Sequence, residues 1–399
     1  MKKQTRFLAF AICLALICAM LPAMTLTTHA ATKSNACGDT LSWSYDEETG
    51  ALSIEGSGTM YDYYAELAPW SDFAAEIKTV TLPEGLTGIG YGAFSGCSAL
   101  TAVCIPDSVV AIGDWAFGNC SALESVNVPA AVSTIEKDSF AACTAMTAIN
   151  VAAANANYSS LDGVLFNKEQ TALIRYPCGK PGFYEIPDGV TTLTDNAAFC
   201  WSVGLTGVKL PESLRQISGF AFADCPNLTD VILPEGLESI DCYAFNCCTK
   251  LRNVNFPESL KWIGMGCFVG CESLTEIVLP DGMVSIGDFG FGGCSNLTKI
   301  HLPKSLEGIS YGAFNNCVSL RSISLPEGAE SIGIAAFKDC KALTGIYVPA
   351  SVETIASDAF GSGKSKLNKT LVIYGPEGSA AQSFAEENDF QFVVGALPD

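Results

Sequence analysis

One unit recurs every 23 residues from Leu82 almost to the C-terminus, and it leaves few folds open. Its plainest copy reads Leu302-Pro303, Ile309, Ala313-Phe314, Cys317, Leu320. The prolines that mark it are Pro83, Pro106, Pro129, Pro187, Pro211, Pro234, Pro257, Pro280, Pro303, Pro326 and Pro349. Eight of the ten intervals are 23 residues and one is 24. One such unit cannot bury its apolar side alone, so a fixed period means stacked coils sharing one core.

Each column of the aligned units has a physical reading. Three residues before Pro stands Val or Ile, as at Val208, Val231, Ile277, Ile300 and Ile346, and one before Pro stands another apolar residue. This period-two alternation of β-branched residues describes a half-buried strand. Pro then ends the strand, because it has no N–H for the ladder, and Glu-Gly or Glu-Ser makes the turn. Further inward columns follow at Pro+3 (Leu214, Leu237), Pro+6 (Ile217, Ile240) and Pro+11 (Phe222, Phe245). A small residue almost always precedes that Phe, which lets coils approach closely. The predicted fold is a repeat solenoid of about eleven coils with one parallel strand per coil on one face. At roughly 4.8 Å per coil it forms a rod of about 50 Å.

These columns resemble the leucine-rich repeats of BspA-like bacterial surface antigens, over Leu82 to about Phe360. The resemblance implies a secreted or surface adhesion-type protein. The flanks resemble that family's caps: Cys37-Gly38-Asp39, Trp43, Ala51 to Gly56 and Pro69-Trp70 in front, and Gly375 to Ser379 with Phe384, Ala385 and Phe392 behind. End coils need covers in any case, since each would expose an apolar face. The expected division is a secretion signal over 1–30, a β cap over 31–80, the solenoid over 81–361 and a helix-and-strand cap over 362–399.

The signal rests on Lys2, Lys3 and Arg6, the apolar run Phe7 to Leu21, and the small residues of Thr28-His29-Ala30. No second apolar run of spanning length follows, so membrane insertion is not expected. Removing the signal takes three basic residues and no acid, which moves the formal charge from −20 to −23. Such a chain repels phosphate backbones, so nucleic acid is excluded as a partner.

Register breaks once, between Pro129 and Pro187, a gap of 58 residues. The extra segment, about 151–186, holds two apolar stretches, Tyr158 to Phe166 and Thr171 to Pro177, around the polar turn Asn167-Lys168-Glu169-Gln170. That pattern is a β-hairpin. It is either a structural variant of the coil or a functional projection.

Chemistry-bearing residues are few. Nine cysteines share one column, three after the Phe: Cys97, Cys120, Cys143, Cys225, Cys248, Cys271, Cys294, Cys317 and Cys340. One thiol per coil at a fixed phase behaves as a small buried hydrophobe, so these are expected reduced and inaccessible. No paired CxxC spacing supports a metal, and no cofactor motif is present. His301, the one histidine outside the signal, can be drawn with Ser324 and Glu276 on neighbouring coils, but a flat strand face offers no pocket and no oxyanion donors. No catalysis is expected.

The outward strand positions vary from coil to coil while the inward columns do not, which is how a uniform scaffold carries a variable display. Ile232, Asn255, Val278, Lys299, His301 and Tyr347 are the candidate binding residues. The expected partner is an extracellular protein or glycan, neutral or basic given the acidic chain. The alternative is an envelope module or spacer that binds nothing through this face.

Overall fold

The computed structural model describes residues 36–64, 67–194, 198–361 and 370–398. The predicted secretion signal and the first residues of the predicted C-terminal cap lie outside them. Near the N-terminus, β1 (Ala36–Gly38), β2 (Leu41–Asp46) and β3 (Ala51–Thr59) pair antiparallel. The first half of β3 then pairs in parallel with Thr79–Thr81 and its second half with Gly85–Ile89. Trp43 and Trp70 are buried behind these strands, and their rings meet edge to face at 5.7 Å.

The chain is a parallel solenoid, as its period requires, but each regular coil carries two strands rather than one. The first row holds the expected strands, such as Asp230–Ile232, Glu276–Val278 and Lys299–His301. The second holds two-residue strands at the Pro+6 column, where Ile217, Ile240, Ile263 and Ile286 pair in register. The sequence hides this row because two residues are too few to show alternation. A third ladder runs at the corner that carries the Phe. There the Phe222 N–H donates to the Ala244 carbonyl at 2.8 Å and the Phe314 N–H to the Ala336 carbonyl at 2.9 Å. The acceptor residue precedes the next Phe, and its side chain is buried and small, so the coils close to hydrogen-bonding distance.

The phenylalanine rings stack along the axis. Phe222, Phe245, Phe268 and Phe291 follow one another at 5.1 to 5.3 Å with planes within 8°. Beneath them the column cysteines are buried. Each thiol from Cys120 onward donates to the carbonyl of the Phe one coil earlier, Cys271 to Phe245 at 3.2 Å and Cys294 to Phe268 at 3.3 Å. Burial pushes the Cys97, Cys143, Cys294 and Cys340 thiols up to about 12.

The extra segment contains the expected hairpin, Val164–Asn167 against Ala172–Arg175, and a second one, Tyr158–Leu161 against Val164–Asn167 across Asp162-Gly163. It is part of the body of the solenoid. Val164, Leu165, Phe166 and Leu173 are fully buried, and Ala172–Leu173 pairs in parallel with Thr192–Leu193. The middle strand divides the interior. Its pleat sends Leu165 into a core that runs from Cys37 to Ile149, and Val164 and Phe166 into a second that runs on to Phe390. At this divide Arg175 is buried beside Asp138 (4.0 Å), the Phe140 carbonyl (3.4 Å) and the Cys178 sulfur (3.2 Å).

At the far end Val372–Gly375 continues the strand row, α1 (Ala380–Glu387) crosses the last coil, and Gln391–Val394 adds a parallel strand. The Ser379 side chain caps α1 by accepting from the Gln382 N–H. Phe384 and Phe390 close the ring stack against Phe360 at 5.8 and 5.7 Å. Phe392, which the sequence suggested for this position, is only partly buried beside that core.

Candidate functional site

The outward side chains of the first strand row form two columns. One runs Lys209, Ile232, Asn255, Val278, His301, Ser324, Tyr347; the other runs Phe183, Gly207, Asp230, Asn253, Glu276, Lys299, Ser322. Register places neighbours one coil apart, Lys209 beside Ile232, Val278 beside His301, and Ser324 beside Tyr347.

The expected flat face is not flat. A groove of about 860 Å³ opens across it, lined among others by Phe183, Asp230, Ile232, Asn255, Phe256 and Val278. It lies where one run of paired strands ends at Asn253–Val254 and the next begins at Glu276–Val278. Asn255 marks the break. In other coils the N–H before Pro bonds the main chain of the next coil, as Leu210 does to the Ile232 carbonyl at 3.0 Å and Leu325 to the Tyr347 carbonyl at 3.0 Å. Here the Leu233 N–H instead donates to the Asn255 side-chain oxygen at 2.9 Å, and the Asn255 amide donates back to the Leu233 carbonyl at 3.0 Å. A residue expected to contact ligand therefore spends its amide on the main chain, and shapes the groove.

Apolar and charged groups alternate around the opening. Val278 is 62% exposed, Phe183 54% and Ile232 44%. Phe183 lies over Gly207, where an added Cβ would stand 2.6 Å from its ring. Asp230 accepts from the Thr229 hydroxyl and from the Asn253 amide, and these bonds hold its carboxyl below the usual range. Glu276 sits 3.7 Å from both the Lys299 and the His301 nitrogens. The Glu276–His301 half of the arrangement drawn from sequence is thus present, but it is shared with Lys299, and all three side chains are half or more exposed.

Of the six candidate residues, the structure gathers Ile232, Asn255 and Val278 at the groove, and joins Lys299 and His301 to its rim through Glu276. Tyr347 stands apart, its hydroxyl donating to Glu327 at 2.9 Å. Sequence reasoning missed Phe183 and Phe256. Phe183 was detectable as an aromatic in the outward column just after the register break. Phe256 sits in an inward column, and only the opened ladder brings it to the groove.

A family model described as BspA type leucine-rich repeat region (6 copies) matches residues 72–177, 176–280 and 261–374. Comparison with curated proteins finds no match. Among solved structures, a leucine-rich repeat protein from Eubacterium ventriosum is 24% identical, with a TM-score of 0.57, covering 83% of this chain and 95% of that one. A leucine-rich repeat protein from Bacteroides ovatus is 25% identical, with a TM-score of 0.47 and coverage of 91% and 100%. A leucine rich cell surface protein from Faecalibacterium prausnitzii is 19% identical, with a TM-score of 0.45 and coverage of 93% and 100%.

Proposed function

The chain belongs to the BspA-type leucine-rich-repeat family, and from that premise we propose that it is an exported binding protein, secreted or held at the cell surface, that takes an extracellular protein on its strand face. The groove between Ile232 and Val278 carries this reading. It offers apolar side chains at its centre for a partner's anchor and the Asp230 and Glu276 carboxylates beside them for a neutral or basic flank. In this reading residues 1–30 direct export, residues 31–80 and 362–399 cover the solenoid ends, and no step of chemistry is assigned. Among the described residues no helix is long and apolar enough to cross a membrane.

The test is a titration of the protein lacking residues 1–30 over immobilised extracellular-matrix proteins, with and without the paired change Ile232→Ser and Val278→Ser. The expected result is saturable binding to at least one of them, weakened by about 10-fold or more in the paired variant, since a few central side chains dominate most interfaces. Binding that survives the paired change moves the site elsewhere. No binding to any of them favours a spacer.

A further inference from the structure

At the corner of each coil that carries the core phenylalanine, the backbone turns through left-handed residues. Two residues after the Phe these are mostly the types such a turn favours, for example Gly96, Asn119, Asp224, Gly293 and Asn316, with Ala142, Trp201 and Cys247 as the exceptions. Two residues before it the choice is different. Gly92, Gly266 and Gly312 occupy that place in three coils, but Trp115, Phe220, Tyr243 and Phe289 occupy it in four, at φ between 54° and 57°. A bulky side chain in this conformation costs backbone energy that glycine does not, and such outliers gather at functional sites.

The core does not need these rings. Trp115, Tyr243 and Phe289 are half-buried, and Phe220 is 39% exposed. The chain instead makes room to lay them down. A Cβ on Gly266 would stand 2.3 Å from the Tyr243 ring, and one on Gly312 would stand 2.5 Å from the Phe289 ring. The rings come in pairs: Phe220 stacks on Tyr243 at 5.0 Å, and Phe289 meets the exposed Tyr311 edge to face at 4.8 Å. Carboxylates flank both pairs. Asp288 accepts the Tyr311 N–H at 3.2 Å and Asp241 the Cys242 N–H at 2.7 Å, which fixes each acid beside the aromatics.

We propose that this row is a second binding site, separate from the groove, and that its ligand is a neutral polysaccharide. A sugar ring has apolar C–H faces that pack on aromatics and hydroxyls that donate to carboxylates, and the row supplies both together. Ring pairs repeated at coil intervals suit a polymer of repeating units. The formal charge of −20 opposes a polyanion. Gly266 leaves no gap in the row, because the Tyr243 ring lies over it, and rings that run on from coil to coil suit a linear polymer.

The experiment is affinity electrophoresis of the full chain in native gels cast with mannan, xylan or a mixed-linkage β-glucan, and with polygalacturonate as the anionic control. The comparison is the fourfold variant Trp115→Gly, Phe220→Gly, Tyr243→Gly, Phe289→Gly, with Tyr243→Gly and Phe289→Gly singly should the fourfold variant not fold. The expected result is retardation by at least one neutral polysaccharide, weakened about 10-fold in the fourfold variant or several-fold in each single, at an unchanged or higher melting temperature. The groove variant Ile232→Ser, Val278→Ser is expected to be retarded like the parent. No retardation by a neutral polymer, retardation by the polyanion alone, or retention of binding by the glycine variants overturns the proposal. So does a fall in melting temperature that accounts for the loss, because the rings would then be structural.

Discussion

The two cores on either side of the Val164–Asn167 strand are built from the same columns, yet they are coupled differently. From Tyr176 to Phe360 the rings stack without interruption, and six of the column cysteines lie beneath them. The shorter block carries Trp70, Phe94, Phe117 and Phe140 and three of those cysteines. At the divide a charged side chain, Arg175, is buried and donates to the Phe140 carbonyl, the kind of acceptor that a column thiol serves in the regular coils. Coils stabilise one another through nearest neighbours, so a break in the ladder is a break in coupling. The blocks are thus expected to answer separately to perturbation.

Alkali should expose the largest contrast. Burial raises the column thiols above their unfolded value, 9.0, to about 12 for Cys97 and Cys294. Below 9 both states are protonated and nothing is lost. Above 9 only the unfolded chain releases protons, so each thiol withdraws about 1.4 kcal/mol of stability per pH unit until its folded value is reached. With six column thiols against three, the longer block should lose protection first in hydrogen exchange between pH 9 and 11. Equal loss in both would mean that they unfold as one.

The partition strand offers the next test. Phe166→Ala should cost about 3–5 kcal/mol and Leu165→Ala about 2–5 kcal/mol, since each leaves a cavity in a closed core. Exchange rates should rise beyond Tyr176 in the first variant and before Ile149 in the second. If both variants loosen the same amides, the divide does not separate the blocks. Within the longer block, Cys271→Ser should cost about 1–3 kcal/mol, because a hydroxyl on a shorter bond must still satisfy itself against the Phe245 carbonyl. Urea midpoints of the two proteins measure it. The smallest change is at the groove: Asn255→Ala removes the bridge to Leu233 at about 1 kcal/mol. Its signature is faster exchange of the Leu233 amide alone, and an unchanged rate would show that the bridge carries no weight.

How much of this could be read in the residues follows from what each feature depends on. The Phe, Cys and Ile columns were legible because every coil repeats the same environment, so side-chain type and depth stay in phase. The hairpin was legible from its polar turn. The groove was not, because it depends on one amide replacing a main-chain acceptor, and Asn255 in an outward column looks like any other displayed residue. The division of the core was hidden in the pleat of four residues, Val164 to Asn167. The corner aromatics could have been noticed as a column in which glycine and large rings predominate, beside Asp138, Ala335 and Asp358, but only the backbone angles show why glycine and rings share a place.

The relay from each buried thiol to the carbonyl one coil earlier also bears on how such chains arise. Between Phe222 and Phe337 every coil hands its neighbour the same donor and the same ring, with Ala, Cys or Gly as the small contact. A duplicated or deleted stretch of 23 residues there would meet an interior junction with the same ring and thiol as the one it replaced. Copy number can therefore drift by recombination without repair elsewhere, lengthening or shortening the displayed face. The same accident across Phe140 to Tyr176 would strand Arg175 without its setting. The molecule is open to growth at one end and locked at the other, and the count of coils in its kin is expected to vary mainly on the far side of that lock.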